Sequence, residues 1–370
     1  IVECLLVEDQ IVLNLPAQPI KEKEVFFTLS GFISDEASGE SLIGATVSVP
    51  GTAKGAVTNA FGYYSFQVEP GSYQLQYSYV GYEWREIAIK VEQDIKRNIA
   101  LKTTSIELQK VVVGLPIKKI KDRSAGQLEL SPKALSNMPE FAGESGLVKS
   151  LQSLPGISMH SDGSSFFYTR GGERDQNLII VDDAPIYNPM HLFGFYSMII
   201  PDFTKSVEIY KSDIPTSLGD RLSSIINIRT KDGNLNKLEF RGALNPLIYR
   251  FSLETPVAKK KGSIFTSFRR SNFEWLYKQS VPNADLNFGD FSFKWNHKIG
   301  DKDRVYLTTI WSGDNFVKSN TGGIRWTNAA ATLRWNHIFG PKLFSNTTIY
   351  TGSYNYRLFF SANHWQSGIG

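Results

Sequence analysis

Apolar and polar residues alternate with a period of two through residues 236–370. Phe291, Phe293, Trp295, His297 and Ile299 interleave with Asp290, Ser292, Lys294, Asn296 and Lys298. Ala329, Ala331, Leu333 and Trp335 interleave with Asn328, Thr332, Arg334 and Asn336. The pattern predicts strands with one apolar and one polar face. The runs reach ~10 residues or more, the length a strand needs to cross a bilayer. Trp295-Asn296-His297 recurs as Trp335-Asn336-His337, each ahead of a turn, so the repeat is one hairpin. Short connections at 255–262, 300–303 and 340–342 alternate with longer ones at 278–287 and 313–326. That predicts short turns on one side of a membrane and long loops on the other. About six strands are predicted here, too few to close into a barrel alone. Within Leu238–Glu254 the apolar parity switches near Asn245-Pro246, which predicts a bulge.

The first third carries shorter strands. Residues 1–15 hold Leu5-Leu6-Val7, a polar Glu8-Asp9-Gln10 break and Ile11-Val12-Leu13, a hairpin pattern. Pro16 to Glu24 reads as a linker. In residues 25–102, strand-like runs recur at Phe26–Ile33, Ala45–Val49, Tyr63–Val68, Tyr73–Val80, Arg85–Val91 and Arg97–Leu101. Gly- and Pro-containing turns separate them, as in a β-sandwich. Tyr73 to Tyr79 alternates strictly, so one of its faces is buried.

The middle of the chain mixes periods. Leu147, Val148, Leu151 and Leu154 make one helical stripe, predicting a helix from Ser145 to Leu154 stopped by Pro155-Gly156. Ser131, Pro132 and Pro139 bracket a shorter one. Asn177–Val181 is wholly apolar after its first residue and ends at Asp182-Asp183. With Ser206–Lys211 and Ile225–Thr230 it predicts a small mixed sheet, so this unit reads as α+β. Thr169-Arg170-Gly171-Gly172 lets backbone pass closely and offers a guanidinium. Two readings of Arg170 stay open: a solvated turn residue, or the partner of a buried carboxylate such as Asp182 or Asp183.

Composition narrows the function. Charged residues are 21% of the chain and aromatics 13%. The net charge of +4 is small and spread out, which argues against nucleic acid as a partner. Cys4 is the single cysteine, so no intrachain disulfide can form. His160, His191, His297, His337 and His364 lack a Glu or second His at ligand spacing, so no metal site is predicted. No nucleophile–base pair or phosphate-binding loop is present in the pattern, so no catalytic residue and no cofactor are expected. The chain opens on Ile1 and stops in mid-pattern at Gly370, which reads as a piece of a longer protein.

Several stretches resemble known families. Gly31-Phe32-Ile33-Ser34-Asp35, Leu42-Ile43-Gly44-Ala45-Thr46-Val47, Thr58-Asn59-Ala60-Phe61-Gly62-Tyr63-Tyr64 and Tyr79-Val80-Gly81-Tyr82 resemble the carboxypeptidase regulatory-like β-sandwich, a non-catalytic accessory. Leu154-Pro155-Gly156-Ile157, Thr169 to Gly172, Leu178 to Pro185, Ser206 to Lys211 and Ile226 to Lys231 resemble, in order, the plug domain of TonB-dependent outer-membrane receptors. Ser217 to Ser224 departs from the glycine-rich form common in that family and looks like a Bacteroidetes-type variant. The resemblance implies a mixed fold: an all-β sandwich, an α+β plug, and the first strands of a transmembrane antiparallel β-barrel. It assigns 1–15 to the end of a preceding domain, 25–102 to the sandwich, 103–116 to a linker, 117–235 to the plug and 236–370 to a partial barrel. Leu108, Gln109, Lys110, Val111, Val112 and Val113 are similar in position and residues to a TonB box; the alternative is a last sandwich strand with a linker. Residues 1–15 resemble the closing hairpin of a secretin-and-TonB N-terminal domain, or any hairpin of a neighbouring domain.

The same resemblance implies an importer in the cell outer membrane. Its partners would be TonB, membrane lipid and a scarce small ligand (a siderophore, vitamin, glycan or peptide). An anti-sigma regulator joins them if residues 1–15 close a signalling domain. Arg170, Gly171, Gly172, Asp182 and Asp183 would make the plug–barrel contacts. A cell-surface adhesion protein of stacked β-modules is the alternative; it explains 25–102 well and the plug-like middle badly.

Overall fold

Backbone polar groups must be paired wherever water is excluded, and most of the described residues of this chain lie in sheet strands. In the computed structural model the structure describes residues 3–7, 10–14, 25–104, 127–130, 140–141, 144–145, 151, 155–159, 167–212, 214–219, 221–318, 321–360 and 363–369. Glu3–Val7 and Gln10–Asn14 form an antiparallel hairpin. The stretch 108–113 and the short helix bracketed by Ser131 and Pro139 lie outside the described residues. So does most of the helix expected from Ser145 to Leu154. Of that stretch, Leu151 is helical and fully buried, while Ser145 belongs to the two-residue strand Glu144–Ser145.

The sandwich has two four-stranded sheets. One is built on Phe27–Asp35, flanked by Tyr63–Val68 and by the short strands Ile95–Lys96 and Ile99–Leu101. The other orders Gly55–Val57, Thr46–Ser48, Gly71–Ser78 and Arg85–Val91. Leu29, Ile33, Val47, Tyr64, Leu75 and Tyr77 meet between them. The alternation in Tyr73 to Tyr79 thus delivers Leu75 and Tyr77 to the core.

The plug centres on a five-stranded mixed sheet. Its order is Gln127–Leu130, Thr204–Tyr210, Ser224–Thr230, Asn177–Val181 and Ala184–Ile186. Asn177–Val181 runs parallel to Ser224–Thr230 and antiparallel to Ala184–Ile186. Ile225, Ile226 and Ile228 are at most 1% exposed. Each such side chain stabilises the fold by roughly 2–3 kcal/mol relative to exposure. The core is shared with the third sheet: Ile179, Val181, Ile226 and Ile228 cluster with Phe265, Ile310 and Ala330 of the wall.

That wall is an antiparallel meander of eight strands, not the six expected, and it does not close on itself. The strands are Glu239–Leu244, Ile248–Val257, Gly262–Ser271, Ala284–Ile299, Asp303–Lys318, Gly322–Gly340, Leu343–Phe360 and Asn363–Ile369. One extra strand comes from a turn inside the first expected strand and the other is Asn363–Ile369; a further correction lengthens strands without adding any. The parity switch at Asn245-Pro246 is a tight turn between two strands, not a bulge. Asn245 Oδ1 accepts hydrogen bonds from the amides of Leu247 and Ile248, the local bonding that makes Asn a turn residue. The expected long loop 313–326 is largely strand, since pairing continues to Lys318 and resumes at Gly322. Likewise, of the expected loop 278–287, residues from Ala284 on are strand. Gly and Asn in these stretches signal loops locally, but a long cross-strand ladder overrides that weak preference.

Candidate functional site

The polar faces of the wall strands are buried against the plug rather than wet. Asp290, Ser292, Lys294 and Asn296 are each at most 3% exposed. A charge this deep costs several kcal/mol unless paired, so the partners of these groups define where plug and wall are joined.

The first junction is at Asp182-Asp183, the turn after strand Asn177–Val181. Both have left-handed backbone, with φ of 45° and 75°, a conformation Asp tolerates better than most residues. Asp182 is fully buried. It accepts hydrogen bonds from the Thr230 amide (3.0 Å) and hydroxyl (2.5 Å), and from Thr308 of the wall (2.8 Å). Lys294 Nζ lies 3.2 Å away, 3.0 Å from Asp232, and donates to the Thr230 carbonyl at 2.9 Å. Burial alone would raise the Asp182 pKa, but Lys294, Arg334, Arg229 and the Thr230 bond hold it well below the ordinary carboxylate range. Asp232 is held down in the same way, against its burial, chiefly by Lys294 and Lys205.

Asp183 takes the neighbouring cations. Arg229 of the plug is at 2.7 Å and Arg334 of the wall at 2.8 Å, with the Thr348 hydroxyl at 3.0 Å. Against its burial, Arg229 and Arg334 lower its pKa. The guanidinium carbon of Arg334 also stands 5.2 Å from the centre of the Phe61 ring, so one wall residue touches both plug and sandwich.

A second junction is at His191, on the plug hairpin Met190–His191 and Tyr196–Ser197. Its Nδ1 is 2.6 Å from Asp314 and its Nε2 2.8 Å from Asp290. With an ionised carboxylate at each ring nitrogen, both nitrogens donate and the ring is an imidazolium. Burial alone would lower its pKa; Asp290 and Asp314 overcome that and raise it to about 9. Arg269 completes the clamp, donating to Asp290 from Nε (2.8 Å) and Nη2 (2.6 Å), and to the Ser197 carbonyl (2.5 Å). The His191 ring stacks on Phe288 at 4.3 Å.

Arg170 is not the partner of Asp182 or Asp183. It is exposed, with φ of 51°, and its amide donates to the Gly156 carbonyl. The two carboxylates instead take cations that wall and plug strands bring closer. Gly171, with φ of 79°, completes the turn. Gly172 packs inside the plug: a Cβ there would stand 2.4 Å from Ser223 Oγ. Sequence patterns alone do not mark His191, Lys294, Arg334, Arg269, Asp290 or Asp314 as site residues. The signal for the wall residues is their phase, since all lie opposite the lipid-type face.

The sandwich sits at the short-turn end of the wall. Tyr63 and Ser65 hydroxyls donate to the Pro341 carbonyl (3.1 and 2.7 Å), and Phe344 stacks on Tyr63 at 5.2 Å. Lys96 reaches the Asp301 carbonyl at 3.0 Å. Glu40 pairs with Lys205 of the plug at 3.1 Å and accepts the Asp232 amide at 3.0 Å. The long-loop end of the sheet is therefore the one facing away from the sandwich.

Comparison with known proteins gives two domain matches. Residues 29–113 match the CarboxypepD_reg-like domain and residues 138–224 the TonB-dependent receptor plug domain. The chain is 25% identical over 362 residues to the TonB-dependent receptor SusC of Bacteroides thetaiotaomicron, covering 92% of this chain and 33% of that receptor. It is 30% identical over 198 residues to the TonB-dependent receptor P39 of Formosa agariphila, covering 49% of this chain and 18% of that one. The chain thus spans at most a third of the length of these curated relatives. Among solved structures, the siderophore receptor PirA of Pseudomonas aeruginosa aligns with a TM-score of 0.48 at 14% identity, over 64% of this chain and 42% of that one. No helix among the described residues is long and apolar enough to cross a membrane.

Proposed function

We propose that this chain is part of a TonB-dependent receptor of the outer membrane, as its plug-domain match and its likeness to SusC support, and that it forms the gate of an energised importer. The observation that carries the reading is the pair of buried ion clusters joining plug to wall, at Asp182–Lys294 with Asp183–Arg334, and at His191–Asp290–Arg269. Replacing such groups by apolar ones would often hold two surfaces together as well or better. Their use here suits a seat that closes in one register and can be vacated, because the polar groups left behind can be rehydrated as the gate opens.

In this reading TonB pairs as a strand with Leu108–Val113, its backbone hydrogen bonds giving the grip. Force on that segment reaches Gln127–Leu130 first. This strand is short and lies at the edge of the plug sheet, paired only with Thr204–Tyr210 among the described residues. An edge ladder of four residues gives way before the central strands do. The scarce ligand binds on the outer side and passes once the plug moves. The importing chemistry needs no catalytic residue and no cofactor.

The test is deletion of residues 108–113 from the full-length receptor in its host. A receptor null strain is first compared with wild type on a panel of ferric siderophores, cobalamin, glycans and peptides to find the dependent nutrient. The deletion should then grow like the null on that nutrient while the receptor still reaches the outer membrane. Wild-type growth of the deletion would overturn the assignment of the box.

A further inference from the structure

The outward face of the wall carries an unbalanced positive groove at the end away from the sandwich. Register places its residues in three rows. The lowest is Phe268, Phe291 and Trp311, opposite one another on adjacent strands and 41–46% exposed. Exposed aromatics in such a band mark the interface of a membrane-spanning barrel. The next row runs Arg270, Gly289, Gly313, Thr327 and Asn355. The third runs Asn287, Asn315, Arg325 and Arg357. The two adjacent glycines bring no side chain of their own to the middle of this surface, and the Trp311 ring leans over Gly313, where a Cβ would stand 3.1 Å from it. The result is an open groove of about 810 Å³, walled by Arg270, Arg325, Arg357, Trp311 and Asn315.

Two features point to an anion in it. Arg325 and Arg357 are exposed and directly opposite across neighbouring strands, a placement of like charges that destabilises a sheet when nothing lies between them. Among the described residues no carboxylate forms an ion pair with Arg270, Arg325 or Arg357. Two acids line the groove: Asp285 accepts a hydrogen bond from Asn287, and Asp314 is taken by His191; Glu274, which Arg270 also attracts, is paired with Lys278. Arg325 keeps its guanidinium over the Phe359 ring at 5.3 Å, which leaves its edge donors directed elsewhere.

We propose that this groove binds the phosphate-bearing headgroup of an outer-leaflet lipid. Arginine forks match phosphate oxygens two at a time. The row below supplies the aromatic girdle against which the acyl chains begin, so headgroup and tail chemistry meet in the right order. A soluble anion would gain only from the arginines and nothing from the girdle, which is why a lipid is favoured. The inference rests on the transporter reading only for which face meets lipid, and uptake plays no part in its test.

The full-length receptor is purified in mild detergent, with R325Q/R357Q and R325K/R357K variants. Heat-modifiable gel mobility establishes that each barrel is folded. Bound lipid is counted by native mass spectrometry after addition of bisphosphorylated lipid A or the same lipid without phosphates. Wild type should retain the phosphorylated form at least tenfold better, the Gln variant should lose that preference, and the Lys variant should keep much of it. Millimolar inorganic phosphate should not displace the lipid. Equal retention of both lipids by wild type, or equal retention by wild type and the Gln variant, would overturn the proposal. So would displacement by free phosphate, or an acidic protein co-purifying stoichiometrically through the same arginines.

Discussion

Lys294 sits between two buried carboxylates, Asp182 at 3.2 Å and Asp232 at 3.0 Å, so its removal takes from both the cation that compensates them most. Lys294→Met should therefore destabilise the seated plug by about 3–5 kcal/mol, the range for breaking a buried pair from one side. Asp182→Asn with Lys294→Met should cost clearly less than the two single changes summed, because the groups share one network. Thermal unfolding of the four full-length receptors measures this; strict additivity would show that the pair is not coupled. His191 gives a pH signature. Its pKa is raised from 6.5 to about 9, so its contribution is complete below pH 6.5 and fades as pH rises through about 9. The stability difference between wild type and His191→Gln should shrink across that window, and a difference independent of pH would contradict the imidazolium clamp. Asp182 works in the opposite sense: its contribution is present above the ordinary 3.8 and is lost only as pH falls through its lower folded value. Asp182 and Asp183 are visible in the sequence because an apolar strand ending in two acids is unusual. Their partners are not, since Lys294 and Arg334 are distant in sequence and look like ordinary wet positions of an alternating strand. Arg170 misleads because a guanidinium and a carboxylate close in sequence say nothing about which cation the fold brings closer.

At the scale of elements, the junction between plug and wall depends on backbone approach as well as charge. Gly233 lies against strand Gly262–Ser271 so closely that a Cβ would stand 2.1 Å from the Ile264 carbonyl oxygen. Gly233→Ala should force the connecting segment off the wall, at a cost of about 1–3 kcal/mol, the usual range for overpacking. The increased proteolysis expected near residue 233 reports the displacement; an unchanged digestion pattern and melting temperature would contradict it. Asn245 makes the first hairpin turn with two side-chain bonds, and its parity switch is legible in the sequence while its meaning is not. A bulge and a tight turn both reverse which residues face the core, and period-two patterning cannot distinguish them. The extended strands beyond Trp311 read as loops for a related reason. Gly313, Asn315, Asn320 and Gly322 carry turn propensity, whereas the ladder that holds most of this stretch is made with residues far away in sequence.

In the whole molecule the three units are joined in series around the short-turn end of the wall. Arg334 touches Asp183 of the plug and Phe61 of the sandwich, and Glu40 of the sandwich holds Lys205 and the Asp232 amide of the plug. This order of units is legible in the sequence, since each has its own hydrophobic period and turn spacing. Their docking is not, because single residues such as Pro341 and Phe344 carry no periodic signal. In the proposed mechanism the plug must leave its seat on the wall for the solute to pass. Asn328 Nδ2 donates to the Asn188 backbone carbonyl at 2.6 Å across that seat, so N188C/N328C puts one thiol on each side, and a reductant-sensitive gel shift shows the fraction of receptors in which they are joined. The most direct measurement is uptake of the dependent nutrient by cells carrying this double variant, with and without reductant. Oxidised cells should take up little above the null strain and recover on reduction; full uptake while the disulfide is intact would contradict movement of the plug.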